Sequence, residues 1–168
     1  MRCTNWQIIS FAAAGLIASM SPVAAAPAQS KHVAVIDDAQ TGEALLGHFD
    51  YVGSWQHVSG KRDGRTNGTS TRSTHTGDVA ILAFSGTRVR LYGVCGPSGG
   101  RAGVSLDKES TGGRPIDFYA PHVETHMLVY QSPVLAEGVH TVSIAVWGTR
   151  NEHGRYYYVN IDGAEVDP

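Results

Sequence analysis

The chain reads as all-β, an antiparallel sandwich or barrel of about 8–10 strands, and three observations predict it. Short runs rich in Val, Ile, Thr and aromatic residues alternate apolar and polar positions, the period of two that a half-buried strand needs. Glycine-bearing breaks separate these runs at spacings of roughly 8 to 15 residues, the rhythm of strands joined by turns. Helical periodicity is almost absent.

HVAVI (32–36) and HFDYVGSW (48–55) open the series, and TGEALLG (41–47) between them is the one stretch able to form a helical turn. KRDGRTNGTSTRSTHTG (61–77) is polar and rich in Gly, Thr and Ser, so it is expected to be a long exposed loop with room for one edge strand. VAILAF (79–84), TRVRLYGV (87–94), AGVSLD (102–107), RPIDFYA (114–120), HMLVYQS (126–132), HTVSIAVW (140–147) and YYYVNID (156–162) complete a set of about nine strands. No internal repeat or second domain is visible.

At the start of the chain, Arg2 precedes the apolar run IISFAAAGLIASM and then the small residues of SPVAAAPAQ, the order of a secretory signal peptide. The expected leader covers residues 1–28, with cleavage after Ala25, Ala26 or Ala28, and the sandwich covers 31–168. No second apolar stretch approaches the roughly 20 residues that span a bilayer, so a secreted or periplasmic protein without a membrane span is expected. Removing the leader takes away Arg2 and no acid, so the formal charge of −2 becomes −3. Without a Lys/Arg stripe, nucleic acid is not an expected partner. Cys3 leaves with the leader, so Cys95 has no intrachain partner.

Gly-Pro-Ser-Gly-Gly at 96–100 fits the G-x-S-x-G pattern of a hydrolase nucleophile elbow around Ser98. An elbow needs a helix after the serine, and here another strand follows. Pro presets φ and Gly supplies turn flexibility, so the stretch from Gly96 to Gly100 is read as a hairpin turn, and no catalytic residue is assigned. Cys95 shares a side with Val89, Leu91 and Gly93 and is expected to face the core as an inert thiol. His122 and His126 have helical metal-site spacing in HVETH, but on a strand their rings would lie roughly 13 Å apart, so no metal site is assigned. Asp107, Asp117 and Asp162 could supply a carboxylate pair for glycoside hydrolysis, yet strand-end aspartates more often serve turns.

The strings FSGTRVRLYGVCGPSGG, VSLDKE, IDFYAP, VYQSPVLAEGVHTVSIAVWGTRN and YYYVNIDGAEV, with VIDDAQTG and FDYVGSW upstream, resemble the galactose-binding-like jelly rolls and related carbohydrate-binding modules. The resemblance spans roughly residues 35–166. It departs at Lys108, where the family has Gly, and in the longer stretch between Asp38 and Phe49. It implies an antiparallel jelly-roll β-sandwich and a non-catalytic binding role, with carbohydrate or a cell-surface glycan as the expected ligand. A cell-envelope structural or protein-interaction module docking on another exported protein is the alternative, and a small secreted hydrolase the third. Turn carboxylates in such a sandwich are able to hold Ca²⁺, but no calcium-loop spacing occurs and no cofactor is expected.

A sugar offers an apolar C–H face and a rim of hydroxyls, so its site needs an exposed aromatic plane flanked by polar side chains. The candidates are Trp55 with His57, Arg90 with Tyr92, Asp117 with Tyr119, and Trp147, Arg150, Asn151 and Tyr157. Each has a structural alternative. Trp55 could close one end of the core, Arg90 and Asp117 could form a cross-strand charge pair, Asn151 could serve a turn, and either Tyr157 or the Tyr156/Tyr158 pair could be the exposed side of its strand.

Overall fold

The computed structural model describes residues 33–40, 46–107 and 113–168, all within the compact unit Lys31–Pro168. The expected leader, most of TGEALLG and the turn at Lys108 lie outside the described residues. Eleven strands run in chain order: β1 (Ala34–Asp37), β2 (His48–Val52), β3 (Gln56–Val58), β4 (Ser70–Ser73), β5 (Val79–Gly86), β6 (Arg88–Cys95), β7 (Gly100–Leu106), β8 (Arg114–Asp117), β9 (Glu124–Gln131), β10 (Gly138–Arg150) and β11 (Val159–Asp167). One sheet has the order β3-β4-β11-β6-β9, with β1 also paired to β11; the other has the order β2-β5-β10-β7-β8. Every strand pair is antiparallel, and the two sheets form the expected sandwich.

The core follows from the alternation. Ala80, Leu82 and Phe84 of β5, Ala102, Val104 and Leu106 of β7 and Val142, Ile144 and Val146 of β10 point inward from one sheet. Val89 and Leu91 of β6 and Ile161, Ala164 and Val166 of β11 meet them from the other, while Phe49 and Phe118 are fully buried beside them. Each Val, Leu, Ile or Phe among them contributes about 1.5–3 kcal/mol by leaving water. Gly93 continues the inward row of β6 because a Cβ there would lie 2.6 Å from the Phe118 ring.

The strand β11 holds the first sheet together. One of its edges pairs with β6 through residues 161–167, and the other is shared, with Val159, Asn160 and Ile161 on β4 and residues 163–166 on β1.

Three expectations need correction. β4 lies in the polar segment 61–77 but is no edge strand: β3, which alternation does not reveal, covers it on one side and β11 on the other. Its Ser70, Thr71 and Ser73 are buried because each hydroxyl has a partner, in Arg65, Asp38 and Asp78 respectively. YYYVNID is not one strand, since β11 starts at Val159 and runs on to Asp167. The glycine turn at 96–99 does close with a Gly99 N–H bond to the Gly96 carbonyl of 2.9 Å, but it is no hairpin. It carries the chain from β6 in one sheet to β7 in the other, with Gly96 bridging Tyr119 and Gly99 bridging Tyr158. Gly99 and Gly100 pass so close to the backbones of Phe118 and Tyr157 that no Cβ fits at either position.

Candidate functional site

The sequence candidates fall into three separate places. The first brings together Asp117, Asn151, Tyr119, Arg150 and Tyr157 where the loop after β10 meets β8. The Asn151 amide donates to Asp117 at 2.9 Å, Arg101 Nε donates to it at 3.2 Å, and the Tyr119 N–H donates to its other oxygen at 2.9 Å. Partial burial works to raise the Asp117 carboxyl, but the Asn151, Tyr119 and Arg101 donors outweigh it and hold it below the ordinary carboxylate value. Arg150 lies over the Tyr157 ring, its guanidinium carbon 5.2 Å from the centroid, and donates to the Tyr157 hydroxyl at 3.1 Å. The network satisfies itself and acts as a tie between loop and strand. Trp147 stands half-buried at the β10 bulge and takes no part in it.

Arg90 and Tyr92 lie on the outer face of the other sheet. Arg90 does form a cross-strand charge pair, but with Glu165 at 3.2 Å and Asp167, since Asp117 belongs to the opposite sheet. Tyr92 donates to Glu165 at 2.9 Å and stacks on His126, with centroids 4.2 Å apart and an interplanar angle of 3°. His126 occupies a bulge of β9 with φ 53° and lies 2.9 Å from the fully buried Asp162. These partners explain both histidine and aspartate without a metal. Among the described residues no group of three or more His, Cys, Asp or Glu side chains could hold one.

Trp55 and His57 line a cleft of about 390 Å³ with Asp38, Tyr51 and Thr71. Trp55 packs on the core edge, tilted against Tyr51 at 5.1 Å, and its indole N–H donates to the Val52 carbonyl at 3.1 Å. Asp38 is completely buried, and burial pushes its carboxyl up to about 6 against the opposing bonds from Thr71 at 2.6 Å and Thr69 at 2.7 Å. His57 Nδ1 lies 3.1 Å from the Thr71 hydroxyl and 3.3 Å from Asp38. Here too Asp38, Thr71 and the Tyr51 hydroxyl are paired within the protein.

A fourth place behaves differently. The backbone bonds from Arg155 N–H to the Pro97 carbonyl at 2.7 Å and from Tyr158 N–H to the Ser98 carbonyl at 3.0 Å lace the tyrosine segment onto the glycine turn. They enclose a cleft of about 210 Å³, whose side-chain walls include Arg65, Arg72, Ser98, Val123, Tyr158 and Asn160. Asn160 is only 8% exposed, yet its Oδ1 has no hydrogen-bond partner, and neither does the buried Nε of Arg65. An unsatisfied buried polar group costs about 1–3 kcal/mol, and two of the four such atoms among the described residues belong to residues that line this cleft. Tyr158 carries the Arg72 guanidinium 4.6 Å from its centroid and the Tyr156 ring at 5.1 Å, and Tyr156 is 49% exposed. Tyr156 is therefore the exposed member of the run, whereas Tyr157 is half-buried.

Ser98 is exposed on the rim of this cleft, and among the described residues no histidine lines it. Cys95 at its floor is 7% exposed; burial first, then Glu124 and Asp117, push the thiol up to about 11, so it stays protonated and inert at neutral pH. Sequence reasoning missed Arg65, Arg72 and Asn160, and named Tyr158 only as one alternative within the tyrosine run. Arg72 and Asn160 are register partners on β4 and β11, a pairing that the polar loop reading concealed.

No protein-family model matches the chain. A stretch of 102 residues is 32% identical to an A type blood alpha-D-galactosamine galactosaminidase of Flavonifractor plautii, and the match covers 61% of this chain. The chain corresponds to 9% of that relative's length. Among solved structures, a two-domain esterase (CEX) active on acetylated mannans superposes with a TM-score of 0.51 at 13% identity, covering 85% of this chain and 39% of that one. The Agl-KA catalytic domain superposes with a TM-score of 0.50 at 12% identity, covering 82% and 27%. At these identities the likeness establishes the fold alone, a β-sandwich that makes up part of each of those longer chains. Among the described residues no helix is long and apolar enough to cross a membrane.

Proposed function

We propose that the domain is an exported, non-catalytic glycan-binding module of galactose-binding-like type, and that its site is the cleft between the glycine turn and β11. The observation that carries this reading is a cleft lined by both Asn160 and Arg65, each with a buried polar atom that lacks a partner, with Tyr158 in its wall stacked on the exposed Tyr156. A ring hydroxyl is both donor and acceptor, so it satisfies Asn160 Oδ1 while Ser98 on the rim engages a second hydroxyl. The outer surface of Tyr156 offers the apolar plane for the sugar's C–H face. Each hydrogen bond nets only about 0.5–1.5 kcal/mol, so affinity for a single sugar falls in the millimolar to micromolar range. The galactosaminidase relative and the mannan-active esterase fold support carbohydrate as the ligand class.

The test is a glycan array on the purified protein, with hits measured by calorimetry. Asn160→Ala and Tyr158→Ala are expected to lose at least tenfold in affinity while keeping the wild-type circular dichroism spectrum, and Trp55→Ala and Tyr157→Ala are expected to bind as wild type. Binding that survives Asn160→Ala refutes the site, and silence across the array refutes the ligand class.

A second reading, an envelope interaction module, draws on Val123, Met127 and Leu128, exposed by 67%, 37% and 49% on and beside the edge strand β9. It predicts capture of one envelope protein that is abolished by Leu128→Glu and indifferent to Asn160→Ala.

A further inference from the structure

Among the described residues the two charged side chains lining the glycine-turn cleft are both arginines, and no acid shares the wall with them. The expected net charge of the exported domain is negative, so the cleft runs against the balance of the chain. Arg65 is only 10% exposed and has a carboxylate nearby, Asp63 at 3.3 Å. Arg72 has none among the described residues. Its Nε and Nη2 donate to the neutral Gln56 oxygen at 3.0 and 2.9 Å, and its plane rests on Tyr158.

A guanidinium has five N–H donors arranged along fixed edges. Gln56 takes the edge formed by Nε and Nη2, which leaves the end fork of Nη1 and Nη2 free. That fork matches the two oxygens of a carboxylate or a sulfate, and such bidentate, charge-assisted bonds are about twice as strong as neutral ones. The Gln56 clamp and the Tyr158 ring hold Arg72 on two sides, so little side-chain freedom is lost on binding. A neutral sugar would leave this half-buried charge without a counter-ion. An acidic one supplies it.

We propose that the cleft selects glycans bearing an oxyanion, with Arg72 receiving the carboxylate of a uronic acid or a sulfate ester. The inference rests on the glycan-binding reading above and narrows it to an acidic ligand class. The oxyanion sits at the end fork of Arg72, within the same cleft in which Asn160 receives a ring hydroxyl.

The experiment measures calorimetric affinity for three probes of equal length: oligogalacturonate, galactose-6-sulfate oligomers and neutral galacto-oligosaccharide. Wild type, Arg72→Gln, Arg72→Lys and Asn160→Ala are compared, with thermal melts to verify folding. At least one acidic probe is expected to bind tenfold or more tightly than the neutral probe, with the advantage shrinking as salt is raised from 20 to 500 mM. Arg72→Gln should erase this preference, bringing the acidic and neutral probes to equal affinity, and Arg72→Lys should restore only part of it, because an ammonium lacks the fork. The relative affinities of the uronate and sulfate probes identify which oxyanion the site takes.

Equal affinity for neutral and acidic probes, lost in Asn160→Ala, overturns the oxyanion inference and leaves the glycan reading standing. An acidic preference that persists in Arg72→Gln overturns the assignment to Arg72. No binding of any probe by folded wild type overturns both. If Arg72→Gln fails to fold, Gln56→Glu supplies the alternative: it places a carboxylate on Arg72 and should abolish the acidic preference by occupying its charge.

Discussion

The buried carboxyl of Asp38 makes a quantitative prediction. Burial raises it from 3.8 to about 6, so the folded chain holds this proton more tightly than the unfolded chain does. For an acid with a raised folded value, stability is highest at low pH and falls as pH rises from about 4 to about 6, where the unfolded chain is ionised and the folded one is not. The gap between 3.8 and about 6 corresponds to a loss of about 3 kcal/mol, at 1.36 kcal/mol per pH unit. His140 titrates in a neighbouring window: bonds to the Ala136 carbonyl and Asp107 raise it, and the stability it adds is lost as pH climbs through its folded value above 6.5. Asp107 and Asp117 are lowered, so their contribution is lost only as pH falls below about 3.8. The perturbation is therefore Asp38→Asn, which removes one titration and leaves the other three. Urea unfolding followed by tryptophan fluorescence at half-unit steps from pH 4 to 8 gives the difference between wild type and variant. That difference should shift by about 3 kcal/mol in favour of the variant between pH 4 and 7 and be flat above. Parallel curves across that window would refute the claim that Asp38 is neutral when folded at pH 5.

Four other outcomes follow from the same contacts. Asn160→Leu should raise stability by up to about 1–3 kcal/mol, because it removes a buried oxygen that has no partner, and any loss in thermal melts would contradict this. Asn151→Ala should cost about 1–2 kcal/mol and speed proteolysis within residues 150–158, since it cuts the tie to Asp117. His126→Ala should be less stable than His126→Gly by about 1 kcal/mol, because both lose the Asp162 bond but only alanine strains at φ 53°; equal melting points would count against the strain. Iodoacetamide at pH 8 should leave Cys95 unlabelled in native protein and label it fully in 6 M guanidinium, as read by peptide mapping.

Nine of the eleven strands among the described residues were legible, most plainly β5, β6 and β10, where alternate burial writes a period of two into the sequence. β3 has three residues, two of them exposed, and β4 buries hydroxyls in place of methyl groups, so neither carries that signature. The site was half legible. Asp117, Asn151, Arg150 and Tyr157 do gather in space, but they satisfy one another, and sequence shows which residues are polar without showing which are left unpaired. Asn160 and Arg72 become visible only once β4 is paired to β11. Which of Tyr157 and the Tyr156/Tyr158 pair is exposed stays open in the sequence because the run YYYVNID looks continuous, whereas the bonds from Arg155 and Tyr158 to the glycine turn hold that segment off the sheet until Val159.

The central place of β11 also governs when the site can exist. Its partners β1, β4 and β6 come from positions more than sixty residues earlier, so the first sheet cannot assemble by stepwise hairpin addition along the chain. Such long loop closures make folding slow, on the order of milliseconds to seconds for a sandwich of this kind. A nascent chain lacking residues 159–167 has no central strand to which β4 and β6 can both pair, and no Asn160. Such a chain lacks the wall that β11 gives the cleft, so the cleft forms in the same step that closes the fold. Chains stopped at Tyr158 should thus remain protease-sensitive and bind no glycan, and adding a synthetic β11 peptide in trans should restore both properties together.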